Sequence, residues 1–160
     1  MSNKDCLADR FWQKVAVAPD AESCWLWAGT KTKGGYGVIA NDRKRQYAHR
    51  VSYQINVGPI PPTSVIDHKC HNPACVNPNH LQAVSQKQNC ENLGAIRADN
   101  KTGIRGVGLD NRRGMFRARV HHFHKEIHVG YFATAEEAGS AAAAKRNELF
   151  TNNLLDRANA

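Results

Sequence analysis

Between Asp67 and Leu81 the chain reads Asp-His-Lys-Cys-His-Asn-Pro-Ala-Cys-Val-Asn-Pro-Asn-His-Leu, and no other run constrains the fold as much. Cys70, Cys75 and His80 recur at five-residue intervals, with prolines at 73 and 78. Proline fixes φ and removes a backbone donor, so tight turns are expected here in place of a helix or strand. A stiff loop presenting thiolate and imidazole groups at regular spacing suits a structural zinc ion. A closed zinc site is tetrahedral, so the run is one ligand short, and the missing one should come from an element that the metal pins to the loop. Cys24 is the first candidate, because it precedes the strand-like stretch Trp25-Leu26-Trp27 that can carry it under the loop. Cys90 is the second candidate, whereas Cys6 sits in the polar N-terminal stretch.

The chain has 160 residues, 41% of them hydrophobic, which is little for one large core and fits one ordinary domain or two small ones. A chain with so little core gains from a metal staple. Five cysteines, no sequence resembling a signal peptide and no apolar run of membrane-spanning length lead us to expect an intracellular, reducing setting and no membrane partner. The formal charge of +8 points to an anionic partner, and its distribution is informative. From Lys101 to His128, seven Lys or Arg stand against two acidic residues, while from Val129 onward three basic residues meet four acidic ones. One face of the C-terminal part is therefore expected to be basic.

Residues 1–20 read as a short helix with Phe11, Trp12 and Val15 at helical spacing. Short strands are expected at Trp25–Trp27, Tyr36–Ile39 and Arg45–Ala48, separated by turns at Gly34-Gly35 and Asn41-Asp42. A short helix is predicted over His49–Val57, stopped by Gly58-Pro59, then a strand at Val65-Ile66, the loop, and a helix from Ser85 to Ala98. The polar linker Asp99-Asn100-Lys101-Thr102-Gly103 divides the chain into domains 1–98 and 99–160.

Next to the loop stand residues suited to hydrolysis. The expected strand would aim His68, and an anchored histidine titrating near about 6.5 can take a proton from water at neutral pH. Asp67 precedes it, and Asn89 lies in the predicted helix beyond the loop. A carboxylate and an amide oxygen are hard donors suited to magnesium or manganese, which would stabilise charge developing on a phosphodiester.

Asp67-His68, the spacing of Cys70, Cys75 and His80, Asn89 on a following helix, Ala48-His49-Arg50 and Gly58-Pro59-Ile60-Pro61-Pro62 together resemble the HNH, or His-Me finger, nucleases. The likeness is greatest to the phage and intron-encoded homing endonucleases of the HNH and His-Cys box types, and covers roughly residues 20–98. It implies a zinc-stapled ββα-metal core in which His68 activates water and Asp67 and Asn89 hold one divalent ion. It also implies Cys24, Cys70, Cys75 and His80 as zinc ligands, with Arg45 or Arg50 at the scissile phosphate. His71 and Asn77 read as loop residues.

The C-terminal part alternates: Phe116, Ala118 and Val120 fall on one face of a strand, and Arg117, Arg119 and His121 on the other. With a turn around Asp110-Asn111 and Gly114, a three-stranded antiparallel meander over roughly 104–109, 115–122 and 125–132 is expected. Thr134-Ala135-Glu136-Glu137 forms a capping box that opens an alanine-rich helix to about Phe150, whose small residues allow close packing on the sheet. Gly103-Ile104-Arg105-Gly106-Val107, Arg117-Ala118-Arg119, Gly130-Tyr131-Phe132 and Thr134 to Ala138 resemble the plant ethylene-response-factor type of DNA-binding domain, also found attached to mobile HNH nucleases. That likeness implies DNA contact by Arg105, Arg112, Arg113, Arg117 and Arg119, with Lys125 and His121 weaker, through a sheet that enters the major groove. The tryptophans common on that family's sheet are missing here.

The resulting expectation is an α+β chain in which a zinc-stapled nuclease core precedes a small three-stranded sheet packed on one helix. The function expected is site-preferring cleavage of double-stranded DNA with magnesium or manganese, leaving 5′-phosphate and 3′-hydroxyl ends. The homing-type likeness implies the cytoplasm of a bacterial or phage-infected cell, with the protein a monomer or homodimer. A non-catalytic zinc-containing DNA-binding regulator and a structure-specific RNA or single-strand nuclease are the other classes weighed.

Overall fold

The computed structural model describes residues 6–41, 44–93, 96 and 98–158. The chain divides into two compact units, Met1–Asn89 and Cys90–Ala160, so the division falls earlier than the 99–103 linker.

In the first unit, α1 (Leu7–Trp12) is shorter than the predicted helix, and Val15 lies instead in β1 (Val15–Ala16). β1 pairs antiparallel with β2 (Leu26–Trp27), Val15 lying opposite Trp27. Pairing next to the buried Trp27 outweighs the helical spacing of Val15, as β-branched residues favour extended backbone. β3 (Val38–Asn41) and β4 (Lys44–Tyr47) form a hairpin, and the chain turns directly into α2 (Ala48–Asn56). Ala48, expected at a strand end, thus opens the helix. Asp42 of the predicted turn lies outside the described residues. β5 (Val65–His68) pairs antiparallel with β6 (Leu81–Val84), and α3 (Gln86–Glu91) follows. The predicted helix over 85–98 ends at Glu91, and Gly94, Ala95 and Arg97 within its range lie outside the described residues.

Phe11, Trp27, Ile39, Ala48, Val51 and Val76 form this unit's core. Trp27 is its centre, and a Cβ added at Gly37 would come within 2.5 Å of the indole, so only glycine lets the chain cross that face. Val76 ties the loop between β5 and β6 into the core, and the Ser52 hydroxyl donates to its carbonyl.

In the second unit, β7 (Val107–Asp110), β8 (Met115–His122) and β9 (Lys125–Phe132) form an antiparallel meander in the order β7-β8-β9. α4 (Ala135–Leu149) opens with the capping box: the Glu137 amide donates to Thr134 Oγ1 at 3.2 Å, and the Thr134 amide to the Glu137 carboxylate at 3.3 Å. Ala138 and Ala142 pack without exposure against Ala118 and Val107, the small side chains giving the close approach the sequence implies. A short α5 (Leu154–Ala158) is held to α4 by the ion pair of Arg146 with Asp156. Glu91, buried here, accepts from the amides of Thr151 and Asn152. Among the described residues no helix is long and apolar enough to cross a membrane.

Candidate metal centre and active site

The loop between β5 and β6 is built from turns, as its prolines require, with a 3-10 turn at Pro78–His80. Asn77, fully buried, closes it: the Oδ1 atom accepts from the Asn79 amide at 2.9 Å, and Nδ2 donates to the carbonyls of Ala21 and Ser23 at 2.9 and 2.8 Å. The Trp27 amide donates to the Ala74 carbonyl and the Val76 amide to the Trp25 carbonyl, so residues 25–27 run antiparallel beside 74–76. Both sets of bonds draw Cys24 to the loop. The ligand atoms of Cys24, Cys70, Cys75 and His80 all lie within 4.8 Å of one another. Cys90 is exposed and is not in this group.

The group fits zinc in donor type and size. His80 Nδ1 is 3.6 Å from Cys24 Sγ and 3.5 Å from Cys75 Sγ. A tetrahedron with zinc–sulfur bonds of about 2.3 Å and zinc–nitrogen bonds of about 2.0 Å has sulfur–nitrogen edges of about 3.5 Å. The thiols also share their protons unequally. Cys70, hydrogen-bonded by the Cys75 thiol, is drawn down to about 4, while Cys75, which keeps its proton in that bond, is pushed up by the bond and by burial. Burial likewise pushes Cys24 up. A divalent ion bound among the three sulfurs would displace the protons that Cys24 and Cys75 keep without it, since a coordinating thiol is deprotonated.

His68 ends β5 opposite Leu81 and is buried. Its Nε2 lies 3.0 Å from the Cys75 carbonyl oxygen. A carbonyl only accepts, so Nε2 carries the proton and Nδ1 keeps its lone pair. Burial pushes the His68 pKa below the ordinary imidazole value, against the opposing effects of the Cys75 bond and of the Cys70 and Asp67 charges. Asp67, on the other face of β5, accepts from Gln82 Nε2 at 3.0 Å across the sheet. Asn89 is half-buried on α3, which directly follows β6. Arg45 is exposed on β4, and half-buried Arg50 belongs to the first turn of α2. His71 stands in the loop at φ 55°.

A residue that sequence reasoning passed over lies beside His68. His49, 6% exposed, meets the His68 ring edge to face with centroids 4.7 Å apart, and Tyr47 stacks on it at 5.5 Å. Its Nδ1 is buried with no hydrogen-bond partner. Burial, with the His68 and Arg50 charges, pushes its pKa down to about 3, so the ring is neutral. Only its place in Ala48-His49-Arg50 marked it in the sequence, and nothing there disclosed its burial.

In the second unit, Arg117 and Arg119 alternate with buried Ala118 and Val120 on β8. Arg117, Arg119 and His121 converge on Glu126 of β9, at 3.7, 2.9 and 3.4 Å. Arg112 and Arg113 are exposed at the β7–β8 turn, where Arg113 pairs with Asp110 and lies over the Tyr131 ring. Arg105 is half-buried and donates to the carbonyls of Leu93 and Glu91, so two of its donors are already committed. Lys125 is exposed at the start of β9.

A nuclease class is indicated by comparison as well as by these groups: residues 46–90 match the family described as HNH endonuclease. This stretch holds α2, β5, the loop, β6 and α3 up to Cys90, and therefore His68, Asp67, Asn89 and three of the four grouped metal-ligand residues. Among curated proteins, Protein 2.8 of Escherichia phage T7 is 32% identical over 89 residues, which are 54% of this chain and 59% of that protein. Protein 7.7 of the same phage is 36% identical over 72 residues, 45% of this chain and 55% of that protein. The chain thus spans little more than half the length of these curated relatives. No solved structure matches.

Proposed function

We propose that the protein is a site-preferring, metal-dependent endonuclease of double-stranded DNA, of the homing or mobile-element type. The observation that carries this reading is the bond from His68 Nε2 to the Cys75 carbonyl. It holds the imidazole in the tautomer whose Nδ1 can accept a proton, and burial keeps the ring neutral. His68 takes the proton of the attacking water at Nδ1 as its oxygen closes on phosphorus. Asp67 and Asn89, hard oxygen donors on β5 and α3 of the ββα unit, are the residues that would hold a divalent ion such as magnesium. When bound, that ion supplies charge stabilisation at the phosphate and the leaving oxygen. Arg45 or Arg50 holds the phosphodiester, and the products carry 5′-phosphate and 3′-hydroxyl ends.

The second unit is the DNA-reading module in this proposal. Its β8 side chains point Ala118 and Val120 into the core and Arg117 and Arg119 outward, the arrangement a sheet needs to lay basic groups on a groove. Arg112, Arg113 and Lys125 extend the same basic surface from the hairpin turns, and Arg105 contributes least because of its bonds to carbonyls.

The test is incubation of supercoiled plasmid with the zinc-loaded protein, with and without magnesium, beside His68→Ala. Nicked or linear DNA is expected from the wild type with magnesium, and a loss of at least about a hundredfold from the variant, with DNA affinity retained. Equal loss of binding would remove His68 from the role of base. Tight duplex binding by the wild type with no cleavage would favour the regulator.

A further inference from the structure

A cavity of ≈ 360 Å³ opens beside His68, lined by Tyr36, Tyr47, His49, Arg50, Val65 and Ile66. We propose that it is a nucleobase pocket, which receives one unstacked base of the strand whose phosphate lies at His68. The inference rests on the nuclease reading and adds to it a mode of substrate recognition. The walls are aromatic and aliphatic, which suits the face of a heterocycle better than a bare phosphate. Tyr36 and Tyr47 remain 40% and 46% exposed, although both rings are large enough to bury, and they meet edge to face at 5.9 Å. Exposed aromatic rings beside a basic side chain are what single bases stack on.

Two further observations select a base. His49 is in the wall of the cavity and its Nδ1 is a buried polar atom without a partner; such an atom is costly, and a small rotation of the ring towards an entering base would relieve it. The neutral ring suits the edge of a base, which offers both donors and acceptors. The volume lies near the lower end of the ligand-pocket range of roughly 300–1,000 Å³ and fits a fragment of that size. The placement also agrees: Tyr36 is 6.0 Å and His49 4.7 Å from His68 between ring centroids. Successive nucleotides rise only about 3.4 Å along a strand, so a base next to the scissile phosphate reaches this wall. Unstacking is easiest at flexible pyrimidine–purine steps, which the pocket would therefore favour as cut sites.

The experiment has two arms on the full chain. Cut sites are first mapped on plasmid DNA, and duplexes are then made with a single abasic nucleotide at each position flanking the cut. Wild type should lose about tenfold or more in kcat/KM at one position, and the loss should shrink towards nothing in Tyr47→Leu and His49→Phe. No position-specific loss, or an equal loss in the variants, overturns the pocket while the nuclease reading stands. In the second arm, deoxynucleoside 5′-monophosphates and inorganic phosphate are titrated against protein with labelled tyrosine and histidine rings. Shifts at Tyr36, Tyr47 and His49 with the nucleotides alone support the pocket even if no DNA is cut, in which case only the nuclease reading fails. Equal shifts with inorganic phosphate, or none with either, overturn it.

Discussion

Removing zinc should unfold the first unit and spare the second. A unit of about 90 residues has a total stability of roughly 4–13 kcal/mol, at about 0.05–0.15 kcal/mol per residue. A structural zinc ion contributes about 10–16 kcal/mol at neutral pH in zinc-finger peptides, so the metal alone is comparable to the whole. Geometry makes the dependence sharper, because the loop that carries Cys70, Cys75 and His80 also inserts Val76 into the core, 1% exposed. All three tryptophans, at positions 12, 25 and 27, lie in this unit, and Trp27 is 1% exposed. Tryptophan emission therefore reports on the first unit, while the helical circular dichroism of the fifteen-residue α4 follows the second. A tight zinc chelator, or Cys24→Ser, should shift the emission to the red and abolish the first unit's melting transition. Readdition of zinc should restore the chelated wild type, and Cys90→Ser should keep its metal and its spectrum. Unchanged emission and melting in protein shown by elemental analysis to be free of zinc would refute the reasoning.

Four other perturbations have defined outcomes. His49 is buried with its folded pKa lowered to about 3, so the unfolded chain, titrating near about 6.5, binds the extra proton between these values. Stability is therefore full above that upper value and falls as pH drops, by about 2 kcal/mol at pH 5 from this group; denaturant melts of His49→Phe should show a weaker decline between about pH 6.5 and 5, and an unchanged pH slope would count against it. Arg117→Ala with Arg119→Ala should lower the log–log salt slope of DNA binding by about 1.8, at about 0.9 per phosphate contact. Glu126→Gln, which releases both arginines and His121, should tighten binding at low salt; an unchanged slope or affinity by fluorescence anisotropy would remove this face from the interface. Gly106 has φ +82°, and an added Cβ would lie 2.5 Å from the Arg119 carbonyl. Gly106→Ala should therefore cost the second unit about 2 kcal/mol, or roughly 10 °C in Tm by calorimetry, and a change below about 2 °C would sink the argument.

The parts legible in the sequence were those set by local chemistry. Prolines 73 and 78 forced turns, the alternation from Phe116 to His121 placed a strand with two unlike faces, and Thr134 with Glu137 opened a helix at its observed start. Where long-range contacts decide, the pattern misled. Val15 has helical spacing from Phe11, yet its partner in the sheet is Trp27, twelve residues on, and that pairing wins. The helix expected to reach Ala98 ends at Glu91, whose carboxylate caps backbone amides sixty residues later in the chain. His49 was illegible for the same reason: a histidine one residue into a short helix looks solvated until β5 brings His68 against it.

Cys75 shows why the metal loop and His68 cannot be treated separately. Its sulfur belongs to the four-residue metal group, its carbonyl accepts from His68, and its position pairs with Leu26 on the segment that delivers Cys24. One residue thus joins the group to both sides of the fold. Loss of the metal would free the peptide that fixes the His68 tautomer before it touched any atom at the phosphate. With the Cys75 carbonyl displaced, the proton could move to Nδ1, and the lone pair would no longer be reserved for water. On the proposed nuclease reading, the fold of the first unit and the His68 tautomer would be lost together when the metal is removed, because the backbone of residue 75 links the four-residue group to the imidazole.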